Sequence, residues 1–177
     1  MASWSEVPEP LRTEAQQWLD EHVHKTMATL RADGSPRISG TELTVRDGEL
    51  WFGSMPGARK ALDLLRDPRV AFHSGSDDPP AWTGDAKVAG RAVVSKDWAR
   101  AFSDGDPDPG GSSHLFRLDV TEVSVVRLAG DHLTVSWWSP GQEVQSVDRP
   151  EPAPLDDGRA GGPAGPRTGA GRAGVRA

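Results

Sequence analysis

Residues 26–54 decide the fold. Their sequence, TMATLRADGSPRISGTELTVRDGELWFGS, contains two Asp-Gly pairs between short runs of alternating apolar and polar residues. Asp33-Gly34 and Asp47-Gly48 have the composition of tight hairpin turns, because both residue types tolerate the positive φ that such turns require. An alternation with a period of two is typical of a strand that buries one face. The stretch therefore predicts a meander of three antiparallel strands.

The segments on either side of this meander have helical rather than strand-like spacing. Residues 8–22 place Leu11, Ala15 and Leu19 on one stripe, which predicts an amphipathic helix near the N-terminus. Residues 57–68 form a second, shorter helix that Pro68 ends. We expect the buried face of the second helix to consist of Ala58, Ala61, Leu62 and Leu65.

The remainder of the chain predicts further strands at 70–72, 86–94, 116–120 and 133–137, with a short helix over 96–102. Gly90 in the middle of a strand indicates a bend or the close approach of another backbone. Strands and helices do not alternate as they do in a parallel sheet. We therefore expect a mainly β domain, an antiparallel barrel or sandwich of six or seven strands with short connecting helices.

Composition excludes several classes of function. The chain has 177 residues, a net charge of −6 and no cysteine, so disulfides and thiol chemistry are absent. It has no long basic run and no apolar run of about 18 residues, and its acidity repels nucleic acid and anionic lipid. The first ten residues lack the pattern of a secretory signal. We expect a cytoplasmic protein that binds neither nucleic acid nor membranes.

The charge and composition both change near Arg149. Residues 1–149 carry a net charge of −7, whereas residues 150–177 carry +1, and 18 of those last 28 residues are Gly, Pro or Ala. So few apolar side chains cannot offset the entropy of ordering the chain. We expect one domain over 1–149 and a disordered tail over 150–177, with weak docking of the tail as the alternative.

Arg59-Lys60 is the most suggestive local feature for function. The pair follows Ser54-Met55-Pro56-Gly57 and lies at the predicted start of a helix, where backbone N–H groups and the helix dipole favour an anion. A guanidinium and an ammonium would add charge-assisted hydrogen bonds to a phosphate. A solvated basic pair on a surface helix explains the local pattern equally well.

The remaining polar and aromatic clusters carry weaker signals. His22 and His24 lack a third ligand at a suitable spacing, so we expect no metal site. Trp137-Trp138 lies at the end of a predicted strand, where the two rings either pack in the core or stack on a planar ligand. We find no protein acid or base that the pattern marks as catalytic, so the catalytic residues stay unknown.

The order of these elements resembles the pyridoxamine 5′-phosphate oxidase-like family of flavin and deazaflavin split barrels. The resemblance covers roughly residues 20–149 and is carried by TMATLRADGSPR (26–37) and ARKALDLLRDPRVA (58–71). It implies a split β-barrel that forms a homodimer, with cofactor sites at the subunit interface. It also implies hydride transfer on FMN, our first choice, or on the deazaflavin coenzyme F-420.

The family resemblance also implies roles for individual residues. The phosphate-binding pair falls on Arg59 and Lys60, the small hydroxyl residue on Ser54, and the second-strand arginine on Arg37. A flavin-contacting glutamine corresponds to Asp85. The late tryptophan and the closing Asp-Arg pair fall on Trp138, or Trp137, and on Asp148-Arg149, where they would reach the flavin of the partner subunit.

Two departures from the family change the expected activity. Glu42 stands where the oxidases have a lysine, and residues 145–149, QSVDR, replace the ending that binds pyridoxal phosphate. We therefore expect an oxidoreductase that acts on another, unidentified small molecule. The alternative is a non-catalytic barrel that binds or stores a flavin, haem or similar planar ligand, and a third reading is a dimer without a ligand.

Overall fold

The computed structural model describes residues 1–101, 113–130 and 132–150. These residues form nine antiparallel strands in one sheet, with few helices, so the predicted mainly β split-barrel class is confirmed. The strands are β1 (Lys25–Leu30), β2 (Pro36–Thr41), β3 (Thr44–Arg46), β4 (Glu49–Ser54), β5 (Arg69–His73), β6 (Gly84–Ser95), β7 (His114–Ala129), β8 (His132–Trp138) and β9 (Gln145–Pro150). The helices are α1 (Leu11–Glu21), α2 (Arg59–Arg66) and α3 (Trp98–Ala101), and one 3₁₀ turn covers Trp4–Glu6.

Both Asp-Gly pairs form the predicted turns. Asp47 and Gly48 have φ values of 53° and 72°, and Gly34 has a φ of 82°, all in the left-handed region that glycine and aspartate tolerate. The predicted three-stranded meander is nevertheless wrong. The extended run is interrupted between β2 and β3. Strand β2 pairs with β1, whereas β3 pairs with β4. The sheet runs in the order β2-β1-β5-β6-β7-β4-β3, with β8 and β9 extending from β7.

Aromatic side chains fill the centre of the barrel. The ring of Phe52 lies 5.1 Å from that of Phe72 and 5.2 Å from that of Phe116, measured between ring centroids. Such pairs gain stability beyond the area that they bury. Helix α1 closes one side by packing Leu11, Ala15 and Leu19 into the same core.

Glycines allow two close approaches along the long β6–β7 hairpin. The register shifts between Ala89 and Gly90, as the mid-strand glycine predicts. A Cβ on Gly90 would lie 2.4 Å from the carbonyl oxygen of Asp119, and a Cβ on Gly84 would lie 2.4 Å from that of Val126. No larger residue fits at either position without a shift of the backbone.

Helix α2 buries a different face from the one that its apolar spacing predicts. Leu62 and Leu65 are 43% and 50% exposed, whereas Ala61, Leu64 and Asp63 are buried. The prediction is wrong because Asp63 has polar partners beneath the helix, which turn its carboxylate inward. The apolar residues of α2 are compatible with two orientations of the helix on the sheet, and the hydrogen bonds of Asp63 favour the observed one.

One sequence prediction concerns residues outside the described ranges. Of the predicted tail, Pro150 belongs to β9 and residues 151–177 lie outside those ranges. Among the described residues, we find no helix that is both long and apolar enough to span a membrane.

Candidate functional site

A cavity of about 550 Å³ opens between the end of β2, the end of β4 and the start of α2. We call it the β2–β4 groove. Its polar side chains come from both hairpins and from α2, and its walls include the backbone of Gly40 and Gly53. The side chains on which the site depends are His24, Glu42, Ser54, Lys60 and Trp98.

Lys60 supplies the positive charge of the groove. Its Nζ donates a hydrogen bond to the carbonyl oxygen of Gly40 over 2.6 Å, which holds the ammonium at the edge of β2. Burial lowers the pKa of Lys60 below its ordinary value, because a desolvated ammonium loses hydration. An anion in the groove would compensate for that lost hydration.

Ser54 also lines the groove, and its hydroxyl is buried beneath the groove surface. Its Oγ is buried and has no hydrogen-bond partner within the described part of the chain. Leaving a buried polar group unpaired costs about 1–3 kcal/mol, so such groups need an explanation. A ligand oxygen that accepts a hydrogen bond from this hydroxyl would remove the cost.

The start of α2 completes this end of the groove. Its N-cap residue, Ala58, lines the groove and makes no side-chain cap, and the first turn contains no acidic residue. The positive end of the helix dipole is therefore uncompensated by the helix itself. Lys60, Ser54 and the helix start together form a local environment that favours an anion.

Arg59 and Lys60 face different cavities. Whereas Lys60 lines the β2–β4 groove, Arg59 lines a second cavity of about 350 Å³ on the other side of the helix start. We call it the arginine pocket. Its charged residues are Arg31, Asp33, Arg37, Arg59, Asp63 and Arg66. The structure thus brings Arg37 close to Arg59 and brings Ser54 close to Lys60, in two adjoining cavities.

Asp63 holds Arg37 in place from beneath. Its carboxylate accepts hydrogen bonds from Arg37 Nε at 2.6 Å, from the Thr29 hydroxyl at 3.0 Å and from Arg66 at 3.3 Å. Burial by itself would raise the pKa of Asp63, but these hydrogen bonds outweigh it and the pKa lies below its ordinary value. Asp63 thus engages Arg37 through its Nε atom.

His24 and Glu42 also line the groove and lie close to each other. Their Nδ1 and Oε1 atoms are 3.7 Å apart, and the side chains are 80% and 68% exposed. The family resemblance places Glu42 where the oxidases have a lysine, whereas no sequence pattern joins it to His24. The signal that finds the pair is the strand register, because Lys25 opposite Thr41 places residues 24 and 42 next in line.

Trp98 forms part of the groove wall and was also missed by the sequence pattern. A Cβ added to Gly53 would lie 3.8 Å from the Trp98 ring, so the indole packs directly against the backbone of β4. The ring also contacts the small core of Trp51, Ala101 and Leu115 behind it. It gives the groove an aromatic surface.

Three other predicted site residues lie away from the groove. Asp85 is buried on β6, where its carboxylate contacts Lys87 and lies 3.5 Å from His73 Nε2. Trp138 is buried in the main core, and Arg149 is exposed on β9 opposite Leu133. Their expected contacts with a cofactor across a subunit interface stay predictions.

The described residues do not bring three His, Asp or Glu side chains together as a metal ion requires. His22 has only a distant contact, 3.9 Å from its Nε2 to Asp77 Oδ1. The groove is therefore the candidate site that the described residues define.

The fold and the groove together define a split β-barrel with an anion-favouring cavity beside a helix start. A family model confirms and refines this class: the description "Pyridoxamine 5′-phosphate oxidase" matches residues 11–127. The chain belongs to this family. No curated protein matches it.

Solved structures share the fold. PhzG from Burkholderia lata 383, in complex with tetrahydrophenazine-1-carboxylic acid, is 14% identical with a TM-score of 0.60, covering 83% of this chain and 95% of that one. A pyridoxamine 5′-phosphate oxidase-related, FMN-binding protein from Nostoc punctiforme is 16% identical with a TM-score of 0.56, covering 80% and 98%. A heme-binding protein from Mycobacterium smegmatis is 17% identical with a TM-score of 0.51, covering 80% and 59%. At these identities the likeness concerns the fold alone.

Proposed function

We propose that the protein binds FMN in the β2–β4 groove and acts as an oxidoreductase on a small organic molecule other than pyridoxamine phosphate. Membership of the pyridoxamine 5′-phosphate oxidase family and the FMN-binding neighbour from Nostoc punctiforme support a flavin. The observation that carries the proposal is that Lys60 and Ser54 line one groove, and that the buried Ser54 hydroxyl has no hydrogen-bond partner among the described residues. Both groups suit the phosphate of FMN.

In this proposal the phosphate of the ligand binds at the start of α2. A phosphate monoester carries up to two negative charges and needs several donors, which Lys60, Ser54 and the uncapped helix start supply. Arg37 and Arg59 in the adjoining arginine pocket raise the positive potential there. These positive side chains are clustered locally, although the domain as a whole carries net negative charge.

The ring of the ligand then lies near Trp98, Glu42 and His24. The indole of Trp98 offers an aromatic wall, and the backbone of Gly40 and Gly53 allows a flat group to lie close to the sheet. Bound FMN supplies the hydride chemistry, while the chain binds and orients it and excludes water. A coenzyme F-420 ring would use the same wall, and that cofactor is our second choice.

A binding or storage protein is the second candidate function. It is favoured by the Glu42 carboxylate in the groove, and by the neighbour from Mycobacterium smegmatis that binds heme. In either case we propose a cytoplasmic homodimer in which Asp85, Trp138 and Arg149 complete the partner's site. Such a dimer would explain why these three residues lie away from the groove of their own chain.

The test is a titration of the purified protein with FMN, coenzyme F-420 and haem, followed by absorbance and fluorescence. We expect FMN to bind, and the Arg59→Ala/Lys60→Ala variant to bind it at least tenfold more weakly. The matched control is Arg69→Ala/Arg91→Ala, which removes the same charge from the exposed residues of β5 and β6. Equal FMN affinity in the two double variants would refute the assignment of the phosphate end. Reduction of the bound flavin by a substrate, followed by reoxidation, would distinguish an enzyme from a carrier protein.

A further inference from the structure

One face of α1 and the adjoining part of β7 form a cavity of about 480 Å³. We call it the α1 pocket. Its side chains are Glu14, Gln17, Trp18, Glu21 and Arg127. The four residues from α1 are spaced three or four positions apart, so they share one face of the helix. The α1 pocket shares no residue with the β2–β4 groove or with the arginine pocket.

The α1 pocket offers an aromatic ring beside a carboxylate. The half-buried Trp18 ring packs over the start of β6, because a Cβ added to Gly84 would lie 2.7 Å from its Cζ2 atom. Glu14 Oε1 pairs with Arg127 Nη1 over 3.0 Å. The exposed carboxylate of Glu21, in contrast, has no partner within residues 1–101, 113–130 and 132–150. An indole next to such a carboxylate favours a guanidinium, which stacks on the ring and pairs with the oxygens.

The sequence that follows β9 supplies guanidinium groups. Residues 158–177 contain no acidic residue and four arginines, which are Arg159, Arg167, Arg172 and Arg176. Residues 1–149 carry a net charge of −7. Opposite charges attract each other over about 10 Å at 0.1 M salt, which is the Debye length. The charge of this segment is therefore complementary to that of the domain.

The end of β9 lies close to the α1 pocket. Pro150 pairs with His132 on β8, and His132 pairs with Ala129 on β7. Two strand spacings and two residues along β7 therefore separate Pro150 from Arg127, which amounts to about 12 Å. Arg159 follows Pro150 by nine positions, and a Gly-rich chain of that length spans about 17 Å on average. Each of the four arginines can therefore reach the pocket of its own chain.

We propose that residues 158–177 dock into the α1 pocket of the same chain, with an arginine guanidinium on the Trp18 ring and against the Glu21 carboxylate. The segment then forms a strap from the end of β9 to α1. Because the strap is tethered beside the pocket, its effective concentration there is on the order of millimolar, so weak contacts hold it. The inference does not depend on the flavin assignment, since the two cavities share no residue.

The test uses the full chain, which lacks cysteine, so that a spin label can be attached at one chosen position. The label is placed on Ala170→Cys, between Arg167 and Arg172, and Trp18→Phe assigns the indole N–H signal of Trp18 in the NMR spectrum. We expect this signal to be at least twofold weaker than in the same sample after reduction of the label. The signal should recover in 1 M salt, where the Debye length is only about 3 Å.

Variants of the spin-labelled chain separate docking from mere proximity. Glu21→Gln removes the carboxylate of the pocket and should at least halve the loss of the Trp18 signal. The matched control, Glu122→Gln, removes an exposed carboxylate of β7 outside the pocket and should leave the loss unchanged. Replacement of the four arginines of the strap by glutamine keeps its length and should abolish the loss. Circular dichroism checks that each variant is folded.

Two results would overturn the proposal. One is a Trp18 signal that keeps its intensity in the labelled chain, and the other is a loss that persists unchanged in Glu21→Gln and in the four-arginine variant. A mixture of spin-labelled chains with isotope-labelled chains that lack the spin label detects docking between two chains. A loss in that mixture as large as within one chain would contradict the assignment of the strap to its own α1 pocket.

Discussion

Replacing Asp63 by asparagine removes the charge that holds Arg37 and tests how α2 is anchored to the sheet. The carboxylate is 5% exposed and accepts hydrogen bonds from Arg37, Thr29 and Arg66. Hydrogen bonds to charged groups contribute about 1.5–3 kcal/mol each, but Arg37 and Arg66 are 24% and 41% exposed and regain water once freed. We therefore expect Asp63→Asn to lower the free energy of unfolding by about 2–3 kcal/mol at pH 7.

The stability difference between wild type and Asp63→Asn should also depend on pH. The pKa of Asp63 is lower in the folded chain than its ordinary value, so its stabilisation is present above about pH 4, the value for an unfolded aspartate. It is lost as the pH falls through the folded pKa. The stability gap between wild type and Asp63→Asn should therefore narrow below pH 4.

Urea unfolding followed by tryptophan fluorescence, between pH 7 and pH 2.5, measures this gap. The control is Asp78→Asn, which removes an exposed carboxylate from the loop before β6 and should cost less than about 0.5 kcal/mol. A variant at Asp63 as stable as wild type at pH 7 would refute the reasoning. So would a gap that keeps its size upon acidification.

Three further changes have definite expected outcomes. Ser54→Ala removes a buried hydroxyl that has no partner within residues 1–101, 113–130 and 132–150, so the variant should unfold no more easily than wild type yet bind FMN about tenfold more weakly. Lower stability with unchanged affinity would contradict this. Glu42→Gln should raise the midpoint potential of bound FMN by on the order of 15 mV, because an anionic reduced ring then binds about threefold better; an unchanged potential would count against it. Gly84→Ala should lower the free energy of unfolding by about 1–3 kcal/mol, because the added Cβ would clash with the carbonyl oxygen of Val126 and the ring of Trp18. Thermal unfolding measures the effect, and the control is Gly40→Ala, whose added Cβ has no atom within 4 Å.

The hairpin turns and most strands could be predicted because their signals are local. An Asp-Gly pair determines its own backbone conformation, and the alternation of apolar residues marks the strands beside it. The break between β2 and β3 has no comparable signal: residues 42 and 43 continue the strand-like run, and only the pairing of β3 with β4 separates them. The local sequence pattern does not indicate which distant strand a segment pairs with.

The same distinction applies to the site. Ser54 and Lys60 belong to one short strand-to-helix segment that the sequence singles out, and the structure places both on the groove. Their part in cofactor binding stays a prediction. His24 and Glu42 lie 18 positions apart and meet only through the register of β1 and β2, which no motif encodes. The orientation of α2 was mispredicted because hydrophobic spacing ignores the two hydrogen-bond donors on the sheet, Thr29 and Arg37, that face Asp63. Long-range pairing and buried polar contacts are thus what the sequence leaves open.

The affinity ratio of FMN to riboflavin tests the central claim most directly, because the two ligands differ only in the phosphate. We expect wild-type protein to bind FMN at least a hundredfold more tightly than riboflavin. In Lys60→Ala that ratio should fall at least tenfold, while the affinity for riboflavin stays unchanged. The same ratio in wild type and Lys60→Ala would contradict the claim that the phosphate lies at the start of α2.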